Sequence, residues 1–130
     1  MKNKGFSLLE LLVVIGIISL LLAAAVSSYS TAQKKTRDAR RQADLKTIQQ
    51  AAEQYYSICG YTYPNFSAGV NAPIICTVDP TQIILPTDKI PKDPKGGTPY
   101  ICSGTCNTSS FTLCAPQPEL VTTICVSSQQ

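Results

Sequence analysis

Glu10 is the one ionisable side chain in the apolar run from Phe6 to Val26, FSLLELLVVIGIISLLLAAAV. Carboxylates inside such segments are rare and expensive, so Glu10 calls for a positive partner. Just upstream lies a short leader, Lys2-Asn3-Lys4-Gly5, with two positive charges and a small residue at its end. A second chemistry resides in six cysteines, Cys59, Cys76, Cys102, Cys106, Cys114 and Cys125, all beyond the apolar run. A third involves Asp79, Asp88 and Asp93, set in a proline-rich stretch where a carboxylate caps a turn or meets a hard cation. A fourth is the basic run Lys34-Lys35-Thr36-Arg37-Asp38-Ala39-Arg40-Arg41. Histidine is absent, which removes the commonest general acid/base and metal ligand. No nucleophile–base pair, phosphate-binding loop or metal cluster can be assembled from these residues, and no enzymatic activity is expected.

The cysteines read as a disulfide framework in an oxidising compartment. Cys102 and Cys106 are too far apart in sequence for the two-residue zinc knuckle, and no histidine completes a site. Six cysteines allow fifteen pairings. Neighbour pairing, Cys59–Cys76, Cys102–Cys106 and Cys114–Cys125, closes the shortest loops, and the last two fit turns between strands. Cys102–Cys114 across a hairpin is the competing arrangement.

Four segments must position these groups. As a helix the apolar run rises roughly 30 Å, the thickness of a bilayer's hydrocarbon core. From Val26 to Ile58 the chain has no Pro or Gly and is rich in Ala, Lys, Arg, Gln and Leu, so the helix is expected to continue. Leu45, Ile48, Ala52, Tyr55 and Cys59 recur at three- and four-residue steps, an apolar stripe suited to packing on a sheet. Lys34–Asp38 and Arg40–Asp44 stand at the spacing of weak helical ion pairs. Gly60 and Pro64 supply the stop, giving one helix of about fifty residues and roughly 75 Å. Pro64, Pro73, Pro80, Pro86, Pro91 and Pro94 then preclude a long helix or a central strand, leaving short extended pieces at 74–76 and 83–85. Three strands are expected after them, at 99–103, 110–114 and 120–126, in an antiparallel meander. The predicted fold is α+β: a long N-terminal helix, half membrane-spanning and half amphipathic, packed on a small antiparallel sheet. The expected divisions are 1–5 leader, 6–28 membrane helix, 29–59 amphipathic continuation and 60–130 disulfide-rich loop and sheet.

A secretory signal peptide shares the basic start, and Ala23-Ala24-Ala25 would serve as its cleavage site. Its apolar region is usually shorter and carries no acid. An ordinary membrane anchor explains the length but not Glu10 or its distance from Gly5. The segment Lys4 to Val26 closely resembles the prepilin signal of type IV pilins and type II secretion pseudopilins. The resemblance implies a membrane-embedded prepilin peptidase that cuts between Gly5 and Phe6 and methylates the new amine. It implies that the Glu10 carboxylate accepts the Phe6 amine of a neighbouring subunit and so sets the axial stagger of a filament. A Glu that merely snorkels to water is the alternative. Gly16 marks either a point where the helix loosens in the filament or a site of close helix contact. Many relatives have Pro where this chain has Ser27.

Further along, Tyr61-Thr62-Tyr63-Pro64 and the series Leu85-Pro86, Ile90-Pro91-Lys92-Asp93-Pro94-Lys95-Gly96 and Thr98-Pro99-Tyr100 resemble the major pseudopilin of type II secretion. That family commonly has an aromatic residue where this chain has Lys95. Its major members hold calcium in a comparable region, which makes Asp88 and Asp93 calcium candidates by resemblance. Turn-capping is the more ordinary use of such residues, and no other cofactor is expected.

Net charge is +3. Loss of Lys2 and Lys4 leaves nine basic groups against eight acidic, so global charge does not point to nucleic acid. The basic run reads either as a strip for anionic partners or as a solvated or subunit-contacting helix face; the latter is preferred. It opposes a simple positive-inside count, but extended domains translocate regardless of flanking charge, and the leader lysines favour a cytoplasmic N-terminus. The expected protein is therefore a structural subunit, pilin or pseudopilin, of a type IV-like filament. It waits in the bacterial inner membrane as a single-pass protein before joining an extracytoplasmic filament. The resemblance implies as partners further copies through the N-terminal helices, the prepilin peptidase, an inner-membrane assembly platform and minor pilins or pseudopilins. A DNA-uptake pilin and a membrane-anchored, disulfide-rich binding module that never polymerises are the rival readings.

Overall fold

In the computed structural model, which describes residues 5–130, helix α1 spans Leu8–Ile58, 51 residues without interruption. The expected leader lies outside the described residues apart from Gly5. The chain divides into two compact units, Met1–Lys34 and Lys35–Gln130. In the first unit, the large apolar side chains from Phe6 to Val26 are exposed on all sides of the helix. A helix that is apolar all round belongs in a bilayer or a protein interior, and this one is long and apolar enough to cross a membrane.

The second unit has its own core. Leu45, Ile48, Ala52 and Tyr55 form the buried stripe of α1, continued by Cys59 just past its end, as their spacing predicts. They share one cluster with Tyr63, Phe66, Val70, Tyr100, Phe111 and Leu113. Tyr63 and Phe66 each meet Phe111 edge-on, with ring centroids 5.1 and 5.3 Å apart, the arrangement that aligns ring edges with ring faces.

Helix α1 ends in a Schellman turn. Gly60 takes a φ of 90°, and the Tyr61 amide donates back to the Tyr56 carbonyl at 3.1 Å, satisfying a carbonyl the helix leaves open. Tyr61 itself lies at a φ of 59°, unusual for a residue with a side chain. The strands that follow are short: β1 (Ile74–Ile75), β2 (Ile83–Leu85), β3 (Ile101–Cys102), β4 (Thr112–Cys114) and β5 (Cys125–Ser127). Strands β1 and β2 form an antiparallel pair with an irregularity between Ile74 and Ile75. The other three form an antiparallel sheet in the order β3-β4-β5. A single turn of 3-10 helix, Thr87–Lys89, follows β2.

Gly69 permits one close approach. Its φ is +77°, and a Cβ there would lie 2.8 Å from the Tyr100 carbonyl oxygen, which accepts the Val70 amide at 3.0 Å. The last strand differs from the sequence expectation: it begins at Cys125, five residues after the predicted start at Leu120. The amides of Glu119 and Leu120 are taken by the Asp38 carboxylate, so this stretch cannot also donate to a strand ladder.

The structure pairs Cys59 with Cys76, Cys102 with Cys106, and Cys114 with Cys125. Cys114 and Cys125 are also register partners between β4 and β5, with Cα atoms 4.1 Å apart. The competing Cys102–Cys114 bridge does not form, because across β3 and β4 Cys102 opposes Leu113 and Cys114 opposes Ile101.

Candidate functional site

At the entry to α1, Ser7 precedes the first helical residue and Glu10 sits in the first turn. The Ser7 amide donates to Glu10 Oε2 at 2.9 Å, and the Leu9 amide donates to Ser7 Oγ at 3.4 Å. This is a close variant of the capping box, with the hydroxyl on the amide of Leu9 instead of that of Glu10, and it satisfies two amides that a helix start leaves without partners. Sequence reading singled out Glu10 as an ion and passed over its second use; the signal was present as the S-x-x-E spacing of Ser7-Leu8-Leu9-Glu10. Both Phe6 and Glu10 are exposed. Gly16 is open as well, since a Cβ built there meets nothing within 4 Å. Among the described residues nothing demands glycine at that position. Near it, the Ser19 hydroxyl donates to the Ile15 carbonyl at 2.7 Å, which keeps this polar group satisfied along the apolar helix.

The second unit holds a buried charge cluster that the sequence reading did not anticipate. Arg41 is fully buried. Its Nε and Nη2 donate to the two carboxylate oxygens of Asp93 at 2.7 and 2.9 Å, and its Nη1 donates to Asp38 Oδ1 at 2.6 Å. Asp38 also accepts the Leu120 amide at 2.8 Å, and Asp93 accepts the Lys95 amide at 2.8 Å. Glu119 closes the group, taking Arg37 at 2.7 Å and Lys95 at 3.1 Å. Bidentate guanidinium–carboxylate pairing combines charge with fixed geometry, so one helix side chain holds two distant loops.

Burial opposes ionisation of Asp38, but the amides of Leu120 and Glu119 and the Arg41 guanidinium outweigh it and hold the carboxyl below its ordinary range. Asp93 behaves alike: burial raises its pKa, while Arg41 and the Lys95 amide lower it further. Hydrogen bonding to Asp93 raises the Arg41 pKa against the cost of burial, so the guanidinium stays charged.

The expected helical pairs Lys34–Asp38 and Arg40–Asp44 therefore give way to other partners. Asp38 belongs to Arg41 and the 119–120 amides, and Asp44 accepts the Tyr100 hydroxyl at 2.8 Å. Longer-range bonds with better-fixed donors win over exposed ion pairs worth only tenths of a kcal/mol.

The proposed calcium ligands do not fit a cation. Both oxygens of Asp93 already accept from Arg41, whose charge would repel a metal, and Asp88 lies exposed on the 3-10 turn. No group of three or more His, Cys, Asp or Glu side chains able to hold a metal occurs among the described residues. Asp79 caps its own turn, accepting from the Thr81 amide at 3.1 Å.

Residues 1–26 match the family model described as the prokaryotic N-terminal methylation motif. In its N-terminal part the chain is similar to type IV pilins. It is 30% identical over 56 residues to the "Type IV major pilin protein PilA" of Myxococcus xanthus (strain DK1622), an alignment covering 43% of this chain. The chain spans about a quarter of the length of that curated relative, 26%. No solved structure gives a significant match. The motif lies on the helix entry, where Gly5, Phe6 and Glu10 stand, and does not reach the Arg41 cluster. A pilin-like α+β arrangement, one long N-terminal helix followed by small antiparallel sheets, accompanies it.

Proposed function

We propose that this protein is a pilin-type structural subunit of a type IV-like filament. The observation that carries the reading is the methylation motif at residues 1–26, with Glu10 as the one ion in an apolar helix that the chain itself leaves uncovered. In this reading prepilin peptidase cuts between Gly5 and Phe6 and methylates the Phe6 amine. The inner-membrane assembly platform then draws the helix from the bilayer into a bundle of identical helices, to which minor pilins also contribute. Glu10 pairs with the Phe6 amine of a neighbour, an attraction strengthened by apolar surroundings. The work is structural; no reaction is assigned.

Between a surface pilus and a secretion pseudopilus, the pilus is the reading we adopt. The relative is named as a major pilin, and three disulfides in the second unit suit a fibre exposed outside the cell. The proline-rich loop from Leu85 to Tyr100, similar to that of a major pseudopilin, supports the second reading. Mass analysis of the native N-terminal peptide, with electron microscopy of sheared surface material, tests both levels. A methylated Phe6 terminus in long surface fibres is expected. A mature start after Ala25 would overturn the filament reading, and fibres seen only when a secretion machine is overproduced would overturn the pilus.

A further inference from the structure

The helix-entry geometry adds a residue to the assembly site. We infer that Ser7 is a positioning residue for Glu10, holding the carboxylate by one oxygen so that the other faces an incoming cation. The inference rests on the filament reading above.

Two bonds carry it: the Ser7 amide to Glu10 Oε2 at 2.9 Å, and the Leu9 amide to Ser7 Oγ at 3.4 Å. The first engages Oε2 alone. A carboxylate has acceptor sites on both oxygens, so Oε1 remains able to take a second donor. The cap donor is the amide of Ser7, one residue past the Gly5–Phe6 bond, so cleavage there leaves the box intact while creating a new amine next to it. A free Glu side chain samples several rotamers and must be fixed when it pairs. Here the cap fixes it beforehand, reducing the ordering that assembly requires. It also gives the isolated subunit a way to hold Glu10 in an apolar layer without a partner, since the carboxylate accepts the Ser7 amide while the Leu9 amide is taken by Ser7 Oγ. Ser7 is thus part of the resting state of the subunit as well as of the assembled one.

The test uses the full processed chain, isotope-labelled in detergent micelles, together with filament yields in cells. In the wild type, the Ser7 amide proton shift should follow the titration of the Glu10 carboxyl. A Ser7 amide indifferent to that titration overturns the proposal. Ser7→Ala removes the hydroxyl half of the box, and loss of such a cap changes an equilibrium about fivefold, so filament yield should fall by about that factor. Ser7→Thr, which keeps a capping hydroxyl, should restore it. Normal yield from Ser7→Ala, with normal processing, also overturns the proposal. Glu10→Gln separates the two ideas, because Gln keeps the cap and loses the charge. Filaments from Glu10→Gln at wild-type yield would remove the charge pairing of the proposed function while leaving the Ser7 titration to decide the cap.

Discussion

Arg41 and Asp93, 52 positions apart, meet in a two-pronged salt bridge inside the globular unit, with no solvent exposure of either side chain. The contact ties the middle of a helix to a proline-bounded loop. Because Arg41 also holds Asp38, and Asp38 holds the 119–120 backbone, two loops depend on one guanidinium. Removing one member of such a cluster leaves the others charged, buried and unpaired. Arg41→Ala is expected to cost about 3–5 kcal/mol, a large part of a small domain's stability, and Asp93→Asn somewhat less because the amide still accepts one bond. Arg41→Met with Asp38→Asn and Asp93→Asn, which removes the charges and keeps acceptors for the loop amides, should be far milder than Arg41→Ala. Chemical denaturation of the detergent-solubilised chain measures all three. An Arg41→Ala protein as stable as wild type would show that the cluster is incidental.

The same cluster fixes the pH response. The Asp38, Asp93 and Glu119 carboxyls are all held below their ordinary values of 3.8, 3.8 and 4.5 in the folded state. A folded pKa below the unfolded one means that the unfolded chain binds protons first as pH falls. The stabilisation is therefore complete above about pH 5 and is lost as pH drops through the folded values. Tyr100 and Tyr63 act at the other end. Burial, aided by Asp44 for Tyr100 and Glu53 for Tyr63, raises both phenols above 10.0, so their contribution is present below pH 10 and lost above it. Melting temperature should thus be level from about pH 5 to 9 and fall on both sides. Arg41→Met combined with Asp38→Asn and Asp93→Asn should flatten the acid side only.

How far the sequence revealed this molecule varies from residue to residue. The apolar run, the stripe from Leu45 to Cys59 and the Gly60 stop were readable because helix periodicity and glycine termination are local signals. The buried cluster was readable in principle and still missed. Extending the stripe one heptad backward from Leu45 and Ile48 lands on Arg41 and Asp38, both buried. Their charge made them look like a solvated face. Their partner Asp93 lies in a loop with no periodicity to betray it, so no spacing rule connects the two. The late start of β5 has the same cause, since Asp38 claims the Glu119 and Leu120 amides from a distance. At the helix entry the failure was different: Ser7 and Glu10 form a local motif, but attention to charge hid the cap.

Disulfide loops of unequal length should contribute unequally. Sequence separations are 17 for Cys59–Cys76, 11 for Cys114–Cys125 and 4 for Cys102–Cys106. Chain-entropy arguments give about 3 kcal/mol for each of the two longer loops and about 2 kcal/mol for the shortest. The Cys59–Cys76 bridge also joins the end of α1 to β1 next to a buried apolar cluster, so its loss should loosen more than a turn. Paired Cys→Ala variants are expected to lower melting temperature most for 59/76 and least for 102/106. Thiol labelling of native protein should find no reactive cysteine. Labelling of two or more sites, or a melting temperature unmoved by reductant, would refute the framework.

Gly16 separates what the single chain needs from what the proposed filament would need. Glycine inside a helix is less favourable than alanine by about 1 kcal/mol, and no contact among the described residues accounts for it, because a Cβ there meets nothing within 4 Å. A residue that weakens its own helix without a local reason points to a requirement outside the chain, and close approach of another helix is one that only a missing side chain permits. Gly16→Ala should therefore leave membrane insertion, processing after Gly5 and the melting temperature of the globular unit unchanged. Gly16→Leu should do the same in the unassembled subunit. In cells the two should part from wild type at the filament stage, with yield falling modestly for Ala and severely for Leu. Comparing sheared filaments with the membrane pool by immunoblot reads this directly. Wild-type filament yield from Gly16→Leu would mean that no helix packs closely there and that Gly16 serves only to loosen the helix.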